Sequence, residues 1–213
     1  MLEIKTFIFG PFQTNCYVVS LPPSDERRGT LLLVDPACSN EYERQQLLDY
    51  INRQSSNRQL VILATHGHLD HLWGAAWATE QWHTPVLMHE ADIPMAQAMQ
   101  QQYDLFGICR KAESFPIENI KSQISNRKLQ ISNLELLDSP GHTPGSVCLY
   151  FPEQKVLFSG DTLFQMGYGR TDLPGGDYGQ LIDSLEKLFA LPPDVKVYPG
   201  HGEFTSIGAE CRY

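Results

Sequence analysis

Four side chains able to bind a metal fall within six residues at His66-x-His68-x-Asp70-His71, directly after the apolar run Leu60-Val61-Ile62-Leu63-Ala64. Such a run reads as a fully buried strand, and the C-terminal ends of buried strands are where α/β architectures place ligand-binding loops. Neutral imidazoles and a carboxylate are the donors that Zn²⁺ and similar ions take. Alternation at 66 and 68 lets two imidazoles converge from an extended turn. Positions 70 and 71, at the entry to a following helix, point at a neighbouring site, so one loop can feed two ions.

Three further ligand candidates each close a strand-like run: His142 in Ser139-Pro140-Gly141-His142-Thr143-Pro144-Gly145, Asp161 in Phe158-Ser159-Gly160-Asp161-Thr162, and His201 in Tyr198-Pro199-Gly200-His201-Gly202. A glycine precedes each one, which permits tight turns and close backbone approach to an ion. Taken singly, His142 or His201 as a ligand competes with a satisfied core or turn histidine, and Asp161 with a turn cap; the repeated context argues for ligands. His83 and His89 lack it and are assigned to surface or core roles. Trp73 and Trp77, four apart on an expected helix, read as packing residues.

Periodicity supplies the frame. Leu2 to Phe9, Asn15 to Leu21 and Thr30 to Val34 read as strands, and Asn40-x-x-Glu43 as the start of a helix burying Leu47, Leu48 and Ile51. After the histidine run come a helix from Leu72 to Trp82, a strand from Pro85 to Met88 and a helix from Glu90 to about Gln102. Tyr103 to Ile120 loses periodicity and reads as a surface segment lying over a substrate pocket. Strands follow at Lys128 to Asp138, Ser146 to Phe151 and Lys155 to Phe158, the last two forming a hairpin across Pro152-Glu153-Gln154. Asp177 caps a helix whose Leu181, Leu185, Leu188 and Phe189 share a face, and Val195 to Tyr198 is a last strand. The pattern is α/β, two packed sheets with helices outside.

The 213 residues suit a single domain, 1–213, with no linker in the middle. A formal net charge of -9 gives a polyanion no general reason to approach, and the basic doublets Arg27-Arg28 and Arg127-Lys128 build no stripe for a phosphate backbone, so a nucleic-acid substrate is not expected. Five cysteines without a CxxC pair fit reduced thiols. The first residues carry no basic-then-apolar leader, and no window approaches the ~18 apolar residues of a membrane span, so the expected location is the cytoplasm, away from membranes.

The set THGHLDH, PGHTPG, SGDT and PGHG, in this order from Thr65 to Gly202, resembles the metallo-β-lactamase fold superfamily, with wording similar to its glyoxalase II (hydroxyacylglutathione hydrolase) branch. The resemblance implies a four-layer αββα sandwich with two divalent ions, zinc or else iron or manganese, at one edge. His66, His68 and His142 would hold the first ion and Asp70, His71 and His201 the second, with Asp161 bridging. Sequences closer to true β-lactamases differ at the second ion, so antibiotics are not the implied substrate.

The implied activity is hydrolysis of small-molecule thioesters such as S-2-hydroxyacylglutathione by a metal-bound hydroxide, with Asp70 and Asp161 as catalytic residues. By resemblance Asp35 would be a carboxylate supporting a ligand imidazole, and Tyr168 and Arg170 would contact a glutathione-like substrate. Full glyoxalase II enzymes carry a C-terminal helical region with further glutathione contacts. Here Glu203 to Tyr213 follow His201, as in short, single-domain relatives. Persulfide dioxygenases share the motifs but use one iron held by residues like His66, His142 and Asp161. A phosphodiesterase or nuclease fits the ligands but not the acidic surface.

Overall fold

The computed structural model describes residues 2–23, 29–55, 58–125, 131 and 133–211. Both basic doublets and the start of the expected strand from Lys128 lie outside these residues. The chain begins with β1 (Glu3–Phe9), β2 (Thr14–Leu21), β3 (Gly29–Val34), α1 (Glu41–Gln54) and β4 (Arg58–Leu63). Next come α2 (Ala75–Trp82), β5 (Val86–Met88), α3 (Ile93–Gln97), α4 (Met99–Leu105), β6 (Ile117–Asn119) and α5 (Ile120–Ser125). The remainder comprises β7 (Glu135–Asp138), β8 (Val147–Phe151), β9 (Val156–Gly160), β10 (Leu163–Phe164), β11 (Gly167–Tyr168), α6 (Tyr178–Phe189), β12 (Lys196–Pro199), β13 (Thr205–Ser206) and α7 (Ile207–Glu210).

Strands β1 to β6 form one sheet in sequence order, antiparallel from β1 to β3 and parallel from β3 to β6. A second sheet runs β13-β12-β9-β8-β7, with β9 and β12 parallel, and β10 pairs β11 separately.

Alternation along the central strands sorts their side chains into three cores. Cys16, Val18, Leu31, Leu33 and Ile62 face outward onto α1 and α2, packing with Leu47, Ile51, Ala75 and Ala78. Their neighbours Tyr17, Val19, Leu32, Val34, Val61 and Leu63 face the other sheet and meet Leu149, Phe151, Val156 and Phe158. On the far side, Cys148, Tyr150, Leu157 and Val197 pack with Leu181, Leu185, Leu188 and Ile207 of α6 and α7. Three cores between four layers make an αββα sandwich.

The helix starts follow local chemistry. Asn40 accepts a hydrogen bond from the Glu43 amide at 3.1 Å, and Asp177 one from the Gln180 amide at 2.9 Å, each satisfying a donor that the helix leaves unpaired. Two expectations need correction. The helix expected from Leu72 begins at Ala75, because the Gly74 amide bonds to the Pro36 carbonyl at 2.8 Å outside the helical ladder. The long helix expected from Glu90 is a 3₁₀ turn (Glu90–Asp92) followed by α3 and α4, broken at Ala98, where ψ is 26°. Pro94 fits because it sits in the first turn of α3. The segment read as irregular supplies an edge strand, β6, whose three residues are too few to show a period.

Candidate metal centre

Strands β3, β4, β9 and β12 all end at the same edge of the sandwich, and their C-terminal turns carry Asp35, the Thr65 to His71 run, Asp161 and His201. The β7–β8 connection adds His142. Ligand atoms of His66, His68 and His142 lie within 4.8 Å of one another, as do those of His66, His71 and Asp161, and those of Asp70, His71 and His201. The seven side chains picked out from the sequence therefore converge on one continuous cluster.

Three of the five rings are aimed by a bond on the far side. His142 Nδ1 donates to the Arg170 carbonyl at 2.7 Å, turning Nε2 towards His68 Nδ1 at 2.9 Å. His201 Nδ1 donates to the Phe12 carbonyl at 3.1 Å, so its Nε2 faces His71 Nε2 at 3.3 Å and Asp70 Oδ2 at 3.1 Å. His71 Nδ1 donates to Asp35 Oδ2 at 2.9 Å. The remaining bonds of Asp35 fix the loop itself: Oδ1 accepts from the Thr65 amide at 2.7 Å and Oδ2 from its hydroxyl at 2.8 Å. Such supporting acceptors set tautomer and orientation at metal sites. Asp35 itself adopts φ 54°, a left-handed conformation that Asp tolerates.

Glycines allow the close approach. Gly160 has φ 49°, and a Cβ there would lie 2.6 Å from Thr65 Oγ1; a Cβ on Gly200 would lie 2.1 Å from Asp161 Oδ1. The His201 turn is pinned by Tyr17 and Asn15, whose hydroxyl and amide donate to the Pro199 carbonyl at 2.6 and 3.0 Å.

The donor set fits a cation. His66 Nε2 is buried without a hydrogen-bond partner, a costly arrangement unless another species completes it, and Asp161 Oδ1 beside it meets only His71 Nε2, at 3.3 Å. Burial pushes His66 well down and takes His68 down to about 4, with neighbouring imidazoles adding to both, so both are neutral lone-pair donors at pH 7. Burial would raise Asp70 and Asp161, but His71 and His201 hold Asp70 down to about 2 and Asp161 well below the usual carboxylate range.

Other residues picked out from the sequence lie around this centre. Arg170 is more than half exposed and its guanidinium makes a bidentate pair with Asp172 at 2.6 Å, so only its carbonyl serves the cluster. Tyr168 is half-exposed, its ring 6.3 Å from that of Tyr178. His89 caps the 3₁₀ turn through Nδ1, and His83 closes α2. Trp73 and Trp77 pack against the outer core. Sequence reasoning missed Asp92, which is fully buried and accepts from the Gly67 amide at 2.8 Å, the Thr143 hydroxyl at 2.6 Å and the Gly145 amide at 2.6 Å. Beside His68 a cavity of about 420 Å³ opens between α3, α4 and the turn at Leu173 to Gly175.

The model of the metallo-beta-lactamase superfamily matches residues 9–201. The chain belongs to the metallo-β-lactamase superfamily. It is a metallo-hydrolase of that family, with a His/Asp metal-binding cluster at the sandwich edge. Among similar proteins, hydroxyacylglutathione hydrolase GloC of Haemophilus influenzae is 38% identical over 215 residues, covering 99% of this chain and 96% of GloC. The crystal structure of TTHA1623 in a di-iron-bound form superposes with a TM-score of 0.81 at 33% identity, covering 98% and 97% of the two chains. BLEG-1 B3 metallo-beta-lactamase gives 0.78 at 32% identity, covering 99% and 97%. Among the described residues no helix is long and apolar enough to cross a membrane.

Proposed function

We propose that this chain hydrolyses small-molecule thioesters of the S-2-hydroxyacylglutathione type at a dinuclear centre, with zinc as the native ion pair. The observation that carries this reading is the continuous cluster of seven ligands. His66, His68 and His142 would hold one ion, Asp70, His71 and His201 the other, and Asp161 would bridge them. Whole-chain likeness to GloC supports the substrate class, and the di-iron form of TTHA1623 supports two ions rather than one.

When bound, the ions would supply a nucleophile by acidifying water and would polarise the thioester carbonyl. The chain's own residues do the positioning. Asp35, the Arg170 carbonyl and the Phe12 carbonyl hold the three rings of His71, His142 and His201. The Thr14 hydroxyl donates to Asp70 Oδ2 at 2.8 Å and fixes that carboxylate. His68, neutral at pH 7, donates a lone pair rather than a proton. That suits a thioester, because a thiolate departs without a proton from a general acid. The cysteines are all free, which supports a reducing compartment such as the cytoplasm.

The test couples elemental analysis of the purified protein to a thioester-hydrolysis assay. Two metals per chain with turnover are expected, and Asp161→Ala should abolish turnover and lower metal content. Full activity of that variant at unchanged occupancy would remove Asp161 from the reaction. A second reading, persulfide oxidation at one iron held by His66, His142 and Asp161, takes support from the iron in TTHA1623. One iron per chain with oxygen uptake on glutathione persulfide would favour it. Likeness to BLEG-1 makes a chromogenic cephalosporin the control substrate, for which no turnover is expected.

A further inference from the structure

The cavity beside His68 has the size of a small-ligand site, for which about 300 to 1,000 Å³ is typical. Its walls are Met95 and Ala98 at the α3–α4 break, Leu105 and Phe106 at the end of α4, and Leu173 opposite. Gln102 also lines it, but its amide is spent: Oε1 accepts from the Leu69 amide at 2.9 Å, and Nε2 donates to the Gly67 and Met95 carbonyls, both at 3.0 Å. Among the described lining residues there is no lysine or arginine. His68 belongs both to this wall and to the ligand cluster, so a chain lying in the cavity would bring its reactive carbonyl to the metal centre.

We propose that this cavity seats the aliphatic acyl chain of the substrate, making the enzyme selective for medium-length acyl thioesters; this rests on the thioesterase reading above. The thiol halves of biological thioesters carry carboxylates or phosphates, which cannot leave water against an apolar wall without a cationic partner. Arg170, in the turn that adjoins the cavity, pairs with Asp172 and does not line the cavity. The acyl half is the half an apolar wall can bind.

The rim points the same way. Leu105 is 61% exposed, and Phe106 and Phe12 are 40% exposed each, with the two rings 5.9 Å apart. Since the Phe12 carbonyl holds His201, this aromatic pair joins the second ligand group to the cavity mouth. Large apolar side chains left in water beside a polar centre gain by covering an alkyl chain.

The test uses the metal-loaded protein and non-hydrolysable S-alkylglutathiones from methyl to hexyl, with Kd measured by calorimetry. Affinity should rise with chain length, by up to roughly fourfold per methylene at ~0.8 kcal/mol for each one buried. Ala98→Phe should collapse the ratio of methyl to hexyl Kd towards one. Should that variant fail to fold, Leu105→Ala on the exposed rim should lower the ratio about two- to threefold. Equal affinity for all lengths in the wild type, or an unchanged ratio in the folded variants, would overturn the proposal. S-acylglutathiones assayed in the same samples keep the two readings apart. Length-dependent binding without turnover would uphold the cavity and overturn hydrolysis, whereas turnover with length-independent binding would overturn the cavity alone.

Discussion

Asp92 accepts a 2.6 Å hydrogen bond from the hydroxyl of Thr143, a residue 51 positions further along the chain. The same carboxylate takes the amides of Gly67 and Gly145, so one buried acid ties the loop of His66 and His68 to the loop of His142. Those loops come from different sheets, and the first ion would need both.

Asp92→Asn keeps the shape but replaces one acceptor oxygen with a donor that faces a donor. A buried donor left without a partner costs about 1–3 kcal/mol, and misplacing supporting groups typically lowers metal affinity about 10- to 100-fold. The variant should therefore melt earlier and lose metal to a chelator faster than the wild type. Thr143→Val, which removes one of the three bonds, should be milder on both counts. Unchanged melting and metal retention in Asp92→Asn would show that the loops hold together without it.

Asp35 plays the matching part for His71. Asp35→Asn preserves the left-handed φ, which Asn also tolerates, but cannot accept from the Thr65 amide, the Thr65 hydroxyl and His71 Nδ1 together. Metal affinity should fall about 10- to 100-fold, with the loss concentrated on one of the two ions. A competition titration with a chromogenic chelator resolves the two binding steps; equal weakening of both would assign Asp35 to the loop as a whole.

These two carboxylates mark what could be read from the sequence. The seven candidate ligands are legible because each is a potential donor following a strand, and the three outside the histidine run share a preceding glycine. Asp35 is half-legible: its place after an apolar run is visible, its three bonds are not. Asp92 gives no signal, since Glu90-Ala91-Asp92 resembles any acidic turn, and its donors are brought to it only by the folding of loops 25 and 51 residues away. The same reason hides the break at Ala98. Helical periodicity continues through it, and what stabilises the break is Gln102 reaching back to Met95 and across to Gly67.

Gly200 tests the packing of Asp161, the carboxylate proposed to bridge the ions. A methyl there would sit 2.1 Å from Asp161 Oδ1 and 2.7 Å from His71 Cε1, both candidate ligands. Gly200→Ala should therefore displace Asp161 and abolish stoichiometric metal binding. Gly167→Ala, where a Cβ meets nothing within 4 Å, is the comparison, with stability expected within about 0.5 kcal/mol of wild type. Retention of both metals by Gly200→Ala would remove Asp161 from the bridging position.

The metal-free cluster holds protons that a metal must displace. Burial opposes a charge on His71 and His201, but Asp70, Asp161 and Asp35 raise His71 well above its ordinary value, and Asp161 and Asp70 bring His201 up to about 9. His201 is therefore held as imidazolium at pH 7 without metal and His71 is pushed the same way, whereas a metal takes the neutral ring. Zinc uptake by the metal-free protein at pH 7 should release roughly one to two protons, seen as a calorimetric enthalpy that varies with the ionisation enthalpy of the buffer. The direction for folding is opposite. A histidine whose folded value lies above its unfolded value of 6.5 stabilises fully below about pH 6.5, and that contribution is lost as pH rises through about 9. Between those limits the metal-free protein should melt progressively earlier while its affinity for zinc climbs. A buffer-independent enthalpy, or melting that does not fall across this window, would show that the ion pairs among His71, His201 and the three aspartates do not carry these protons.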